Sequence, residues 1–186
     1  IEGNIIEKGI IALDAKIFLE IVRKLPDSDI TIETDSAYKT TITCEKAKFN
    51  IIGKSGEDFS YLPLIERNDS IVMSQFTLKE VVRQTIFSIA QPEYGKPIYT
   101  GLLFDIKDRK LTVVGVDGSR LAVRKEKIDY EGDISFIVAG RAIGEVVKIV
   151  KDNEKTVTIN VGKRHFSITV DGYTIISRIM EGDFIN

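Results

Sequence analysis

The sequence predicts an α+β fold built from repeated units, and three observations support this prediction. Amphipathic helical stretches begin at residues 15, 77 and 141, so their starts lie 62 and 64 residues apart. A β-like run introduces each helix, and three runs of alternating apolar and polar residues follow it, which is typical of antiparallel strands. Each unit therefore consists of one strand, one helix and three strands, and the 186 residues hold three such units.

The three helices are predicted from apolar residues that recur at i, i+3 and i+4. The first covers residues 15–25, with Asp14 as its N-cap and Pro26 just beyond its end. The second covers 77–90 and the third covers 141–151. The residues expected to face the core are, helix by helix, Ile17, Phe18, Ile21, Val22 and Leu25; Leu78, Val81, Val82, Ile86 and Ile89; and Ala142, Ile143, Val146, Val147 and Val150.

The strands are predicted from two-residue alternation bounded by turn signals. These turns are Asp108-Arg109 and Asp117-Gly118 in the second unit and Asp171-Gly172 in the third. A unit with one helix cannot cover both faces of its sheet, so two units are expected to pair helix beside helix under a joined sheet. The strands that follow the helices are predicted at residues 29–35, 38–44, 48–54, 100–106, 110–116, 120–126, 155–161, 164–170 and 173–179.

A longer period pairs the units into domains. GEDF at 56–59 and EGDF at 181–184 end in the same Asp-Phe pair, 125 residues apart, and the middle unit has no counterpart. We therefore predict that residues 1–70 are the second half of one domain followed by the linker 62–70, and that 71–186 form one complete domain. The half-domain would leave an apolar helix face and a strand edge without their partner. The two units of the complete domain are expected at about 71–130 and 131–186.

The sequence lacks the residues that most enzymes and metal sites need. The single Cys, Cys44, excludes an internal disulfide framework, and the single His, His165, excludes histidine pairs and most zinc sites. It contains neither a Walker-type phosphate loop nor a dinucleotide-binding glycine motif. Ser119 follows a turn with no neighbouring His, and acidic pairs such as Glu57-Asp58 offer only two carboxylates. We therefore expect a protein that is not an enzyme and that has no cofactor and no metal.

Signals for the cellular compartment are few. No stretch approaches the roughly 18 consecutive apolar residues of a membrane span. The single thiol fits a reducing compartment. A cytoplasmic protein without a membrane partner is therefore expected.

The distribution of charge indicates more than the net charge of −2. The helices carry eight basic and three acidic residues, or +5, which leaves −7 for the rest of the chain. If the helices share one face of the sheet, that face is positive and suits sequence-independent contacts with nucleic-acid phosphates. Ordinary solvated helix faces are the alternative. The basic helix residues are Lys16, Arg23, Lys24, Lys79, Arg83, Arg141, Lys148 and Lys151.

Several longer motifs stand out in the order in which they occur. VRKLPD at 22–27 and GEDFSYLP at 56–63 lie in the first unit. FSIAQPEYGKPIYTGLLFDI at 87–106, LTVVGVDGSRLAV at 111–123 and RIMEGDFIN at 178–186 follow. Together they resemble the bacterial sliding clamp family, the β subunit of DNA polymerase III, over essentially the whole chain. The resemblance implies half a clamp protomer, namely the later half of domain one and all of domain two.

The resemblance also implies a role. Clamps of this family have three domains per chain, each of two units, and two chains join head to tail into a ring whose helices line the hole. It therefore implies that the positive helix faces meet duplex DNA, and it adds Lys96, in the loop 91–97, to the DNA-facing residues. The implied protein is a non-enzymatic processivity factor that tethers the replicative polymerase. The alternative is an α+β interaction module that binds a partner through an exposed strand edge and has no DNA role.

A partner pocket is the last implication of the resemblance. In this family, polymerase, clamp loader and repair proteins dock through short clamp-binding peptides between the second and third domains. Val116 and Ser119 stand where the family usually has Thr and His, and Tyr99 stands where Leu is common. Ser60 and Ile185 replace the Pro that usually follows the closing Phe. The second-domain wall of the pocket maps to Tyr99, Val116, Gly118, Ser119, Arg120 and Leu121.

Overall fold

The computed structural model describes residues 3–59, 63, 65, 69–93 and 95–185. The chain divides into two compact units, residues 1–61 and 62–186. Most of the predicted linker 62–70 lies outside the described residues, as does Tyr94 of the predicted DNA-side loop. Among the described helices, none has the length and apolar character needed to cross a membrane.

In its described residues, the first unit consists of one α-helix and two small antiparallel sheets, followed by a 3₁₀ turn at Gly56–Asp58. Its elements are β1 (Ile11–Ala12), α1 (Ala15–Lys24), β2 (Thr31–Thr34), β3 (Lys39–Cys44), β4 (Ala47–Ile52) and β5 (Lys54–Ser55). β2, β3 and β4 form one sheet in that order, and β1 pairs with β5. Asp14 caps α1 as predicted, because its Oδ1 accepts a hydrogen bond from the backbone N–H of Ile17 at 2.9 Å.

The helix α1 is poorly covered within the described residues. None of its residues is buried, and Ile17 and Val22 of its predicted apolar face are 50% and 37% exposed. The buried apolar side chains of this unit belong to the sheet, as in Ile42, Cys44 and Ile51. The apolar face of α1 is therefore formed as predicted, but no described residue buries it.

The described part of the second unit contains two α-helices and eight strands in two halves of the same order. The first half is β6 (Asp69–Ser74), α2 (Gln75–Arg83), β7 (Gly101–Lys107), β8 (Lys110–Val116) and β9 (Leu121–Lys127). The second half is β10 (Ile134–Ala139), α3 (Gly140–Ile149), β11 (Thr156–Val161), β12 (His165–Val170) and β13 (Tyr173–Arg178). Each half thus has the predicted order of one strand, one helix and three strands.

The two halves exchange their first strands. β6 pairs with β11 of the second half, and β10 pairs with β7 of the first, so the two sheets have the orders β10-β7-β8-β9 and β13-β12-β11-β6. A bridge between Val138 and Ile179 connects the sheets where β10 meets β13. Helices α2 and α3 contact each other and the core, as expected. Neither half completes its sheet alone, which explains physically why two units combine.

The core of this unit lies between the helices and the sheets. Phe104, Phe136 and Phe166 connect the two sheets, with ring centroids 5.4 Å apart in the first pair and 6.4 Å apart in the second. Gly115 allows a close approach, since a Cβ there would lie 2.4 Å from the carbonyl oxygen of Thr85. The fully buried helix residues include Leu78, Val81, Val82, Ile143 and Val146.

The predicted second helix is too long. Residues 77–90 were predicted, whereas α2 covers Gln75–Arg83 and a separate 3₁₀ turn covers Ile86–Ser88. The backbone N–H of Thr85 bonds to the carbonyl of Val82, three residues back, at 3.0 Å. Its hydroxyl donates to the carbonyl of Val81 at 2.7 Å. The Thr85 hydroxyl thus competes with its own backbone N–H for the Val81 carbonyl, and the N–H bonds three residues back instead, so α2 ends before the apolar pattern does.

Candidate nucleic-acid and partner-binding surfaces

The predicted DNA-facing residues lie on the solvent side of the three helices and on the loop 91–97, except Lys151, which was predicted at the end of the third helix but lies two residues beyond the end of α3. Within the second unit, this side is opposite to the buried residues of α2 and α3. Arg141 and Lys148 lie on one stripe of α3 together with Glu145, because positions i, i+4 and i+7 share a helix face. The exposed predicted cations are Lys16, Arg23, Lys24, Arg83, Lys96, Arg141, Lys148 and Lys151, and Lys79 is half-buried.

Both cations of α2 are paired with carboxylates. Arg83 Nε donates to Glu80 Oε1 at 2.8 Å, and Arg83 Nη2 donates to Glu80 Oε2 at 2.9 Å. Chiefly because of these hydrogen bonds, the pKa of Glu80 falls from 4.5 to about 2, so its carboxylate is ionised at neutral pH. Lys79 Nζ lies 2.9 Å from Asp152 Oδ2. The positive charge of α2 is thus partly neutralised, although the Arg83 side chain stays 62% exposed.

A second network connects the two helices. Lys151 Nζ lies 3.0 Å from Asp171 Oδ2, and its hydrogen bond is the main reason that the pKa of Asp171 lies below its ordinary value. The buried Gln75 donates from Nε2 to Asp171 Oδ1 at 3.3 Å, and its Oε1 accepts from the backbone N–H of Lys151 at 2.8 Å. The contacts of Gln75, Lys151 and Asp171 fix the start of α2 against the end of α3. Separately, within α3, Lys148 Nζ pairs with Glu145 Oε1 at 2.7 Å.

The sequence missed part of this charge balance. Asp152 and Asp171 lie outside the helices, so a tally of helix residues alone did not include them. Arg141 and Lys96 have no ion pair in the part of the chain that the structure describes. The helix side of the second unit therefore combines paired and unpaired cations, which favours weak and salt-sensitive contacts with phosphates.

Asp117 organises the turn between β8 and β9. Its Oδ1 accepts hydrogen bonds from the backbone N–H groups of Ser119 at 2.9 Å and Arg120 at 2.8 Å, and from the Ser119 hydroxyl at 2.9 Å. The Ser119 N–H is the leading cause that holds the pKa of Asp117 below its ordinary value. Gly118 has a φ of 92°, which glycine adopts without strain. The Ser119 hydroxyl is thus bound to a turn carboxylate.

The predicted pocket residues lie at one end of the sheet β10-β7-β8-β9. Val116 pairs with Leu121 across β8 and β9; Leu121 is 60% exposed, whereas Val116 is buried. Tyr99 lies just before β7. Because β7 and β8 are antiparallel and Leu103 pairs with Val114, the start of β7 lies at the same end of the sheet as Val116. The rings of Tyr99 and Phe184 are nearly perpendicular, with centroids 5.6 Å apart. Leu121 therefore offers an exposed apolar side chain at this end of the sheet.

The segment that closes the chain adds to this surface. A groove of about 710 Å³ is lined by Leu103, Ile137, Met180, Phe184 and Ile185, among others. Phe184 was not among the predicted site residues, although it belongs to the Asp-Phe pair that recurs at 58–59 and 183–184. Because Phe184 contacts Tyr99, the groove adjoins the predicted pocket wall.

His165, Cys44 and the acidic residues show no arrangement typical of a catalytic or metal site among the described residues. Within the described ranges, no three His, Cys, Asp or Glu side chains are placed to hold a metal ion. His165 begins β12 and pairs in register with Arg178 of β13. Cys44 is buried, with its Sγ 3.8 Å from the carbonyl oxygen of Pro26.

The chain matches known families over both units. The model of the DNA polymerase III beta subunit central domain matches residues 72–186, and that of the N-terminal domain of the same subunit matches residues 2–63. The beta sliding clamp of Staphylococcus aureus is 33% identical over 182 residues, which cover 97% of this chain and 48% of that protein. The chain thus spans about half the length of the curated relatives it matches.

Two solved structures have the same fold. A crystal structure of a DNA polymerase III beta subunit from Eubacterium rectale matches with a TM-score of 0.92 and 52% identity, over 100% of this chain and 51% of that one. The DNA polymerase sliding clamp from Bacillus subtilis matches with a TM-score of 0.89 and 31% identity, over 95% of this chain and 47% of that one.

Proposed function

Because the chain belongs to the DNA polymerase III beta subunit family, we propose that it is part of a DNA sliding clamp. In this role it tethers the replicative polymerase to duplex DNA without catalysing a reaction and without a cofactor. The observation that carries the proposal is the side-by-side packing of α2 and α3, with apolar faces buried and exposed cations on the opposite side. We also propose that the protein acts in the cytoplasm.

The proposed domain organisation follows the strand exchange. Residues 71–186 would be the complete second domain, and residues 1–70 the later half of the first domain with the linker. The reciprocal pairing of β6 with β11 and of β10 with β7 supports the first assignment, because it makes residues 69–178 one interlocked body. Two full-length chains would join head to tail into the ring.

The proposed DNA contacts are weak and independent of sequence. Lysine and arginine side chains that meet phosphates fix position without reading bases. The ion pairs of Arg83 and Lys148 lower the net attraction, which suits a ring that must slide and that is retained by its closed shape. The proposed DNA-facing residues are Lys16, Arg23, Lys24, Lys79, Arg83, Lys96, Arg141, Lys148 and Lys151.

The proposed partner site is the end of the sheet at the β8–β9 turn. Polymerase, clamp loader and repair proteins would dock there through short peptides. The exposed Leu121 offers apolar contact, and Asp117 holds Arg120 beside it. The proposed wall comprises Tyr99, Val116, Gly118, Ser119, Arg120 and Leu121.

The DNA role is tested with two charge-reversal variants of the 186-residue chain. One carries Arg83→Glu, Arg141→Glu and Lys148→Glu on the helices, and the control carries Lys155→Glu, Lys163→Glu and Arg178→Glu, three exposed cations outside them. Fluorescence anisotropy with a labelled duplex at low salt measures binding. We expect the helix variant to lose its weak binding and the control to keep most of it. Equal binding by the helix variant and the unmodified chain would remove α2 and α3 from the DNA side.

A further inference from the structure

Three lysines stand side by side on the sheet face that points away from the helices. The register places Lys107 opposite Lys110, and Lys110 opposite Lys127. All three are exposed, and they alternate along their strands with buried residues such as Ile106 and Leu111. We refer to Lys107, Lys110 and Lys127 as the lysine row.

Among the described residues, the three lysines of the lysine row form no ion pair, although carboxylates such as Asp105 line the same groove. In the described part of the chain, no carboxylate oxygen lies within 4.0 Å of any of the three ammonium groups. The nearby acidic residues Asp129 and Glu131 pair instead with Arg109, at 2.7 and 3.1 Å. Like charges directly opposite each other on neighbouring strands repel. Such an arrangement conflicts with the local rules of sheet stability, and conflicts of this kind concentrate at functional sites.

The lysine row lines a groove that leads toward the proposed partner site. The groove has a volume of about 790 Å³, and its lining includes the three lysines, Asp105 and Thr112. Asp105 also lines the groove beside Phe184, so the two grooves adjoin on one face of the sheet. Six residue steps along β9 separate Leu121 from Lys127, a distance of about 20 Å. An extended peptide of about six residues covers that distance.

We propose that the lysine row binds an acidic segment of the partner proteins, rich in Asp or Glu, that follows the part docked near Leu121. The inference rests on the proposed partner site for the identity of that protein. A peptide fits this face better than DNA, because peptide side chains can also cover apolar residues of the same sheet face, namely Leu103, Val114 and Val123. These three residues form one row in register, and the row of Asp105, Thr112 and Lys125 lies between it and the lysine row.

The test compares two variants of the 186-residue chain. Lys110→Gln with Lys127→Gln removes two charges from the lysine row, and Lys155→Gln with Lys163→Gln removes two exposed charges elsewhere. The probes are labelled peptides with a tract of about six glutamates or six glutamines, and binding is followed by anisotropy. We expect the glutamate peptide to bind at least about tenfold more tightly than the glutamine peptide, since each opposite-charge contact favours it. The row variant should lose this preference and the control should keep it.

Further measurements separate this inference from the partner site itself. A longer peptide joins a Leu-containing anchor, a spacer of about six residues and the glutamate tract. Leu121→Ala should weaken this peptide but not the free glutamate tract. If Leu121→Ala has no effect while the row variant still does, the partner site is wrong and the lysine row stands.

Two results would overturn the lysine row as a peptide site. One is an unchanged preference for glutamate in the row variant. The other is a loss of duplex DNA binding in the row variant that equals or exceeds its loss of peptide binding, which would assign the row to nucleic acid. The urea midpoint distinguishes a structural role: removal of the repulsion should leave it unchanged or raised, and a clear fall would contradict the proposal.

Discussion

The carboxylate of Asp117 binds the guanidinium of Arg120 within a single tight turn. Arg120 Nη2 lies 2.6 Å and Nε lies 2.8 Å from Asp117 Oδ2. The other carboxylate oxygen accepts the backbone N–H groups of Ser119 and Arg120. One aspartate therefore sets both the backbone of the turn and the direction of its arginine, next to the exposed Leu121.

Replacement of Asp117 should loosen this turn. In Asp117→Ala the N–H groups of Ser119 and Arg120 lose their acceptor, so their amide hydrogens should exchange faster with solvent while those of β7 stay protected. Asp117→Asn keeps one oxygen acceptor and should have a smaller effect. Asp129→Ala is the control, because among the described residues Asp129 pairs with the exposed Arg109 side chain alone. Unchanged exchange at Ser119 in Asp117→Ala would contradict the role of this carboxylate.

Acid should destabilise the fold through Glu80. Its pKa is lowered from 4.5 to about 2 by Arg83, so the stabilisation is fully present above about pH 4.5 and is lost as the pH falls toward 2. The lowered pKa of Asp117 acts in the same direction. Urea midpoints measured from pH 7 to 3 should fall less steeply for Glu80→Gln than for the unmodified chain. Parallel curves for the two proteins would show that the Glu80–Arg83 pair does not contribute.

Two glycines should respond in opposite ways to alanine. At Gly115 the new Cβ would lie 2.4 Å from the backbone oxygen of Thr85, and overpacking of this kind costs about 1 to 3 kcal/mol. At Gly144, within α3, the nearest atom is the Ile86 Cδ1 at 3.8 Å, and removal of a helix glycine gains up to about 1 kcal/mol. Chemical denaturation of both variants measures the difference. Equal stability would contradict the close approach of Thr85 to β8.

The first unit should reveal its uncovered surface in solution. Ile17, Leu19 and Val22 of α1 are exposed, and in the described residues β2 pairs only with β3. We expect the 186-residue chain either to self-associate through residues 1–62 or to exchange amide hydrogens rapidly there, while the second unit stays protected. Ile17→Lys with Val22→Lys should reduce any dimer seen by light scattering. A strict monomer with both units equally protected would refute this expectation.

Local patterns predicted most of the second unit's elements. Alternation located β8 at 110–116 without error, and the Asp108-Arg109 and Asp171-Gly172 turns have the positive φ values that such hairpins require. The ends of α1 and α3 were predicted to within two residues. These features depend on neighbours in sequence, so periodicity and turn residues suffice to find them.

Features that depend on distant residues could not be predicted in this way. The pairing of β6 with β11 joins residues more than 80 positions apart, and no local pattern specifies it. The ion pairs of Lys79 with Asp152 and of Lys151 with Asp171 likewise depend on packing between elements. Thr85 ended α2 early because its hydroxyl found a backbone partner in competition with the helix. The lysine row could not be predicted either, because it depends on the register of β7, β8 and β9.

The sliding-clamp proposal is tested most directly by retention on circular DNA. A protein of the relatives' full length that contains these 186 residues is loaded onto a nicked circular plasmid by its clamp loader, and DNA-bound protein is separated by gel filtration before and after the plasmid is cut once. Weak surface contacts combined with a closed ring predict that the protein stays on the circle at moderate salt and is lost from the linear DNA through its ends. Equal retention on circular and linear DNA, or none on the circle, would contradict the proposal.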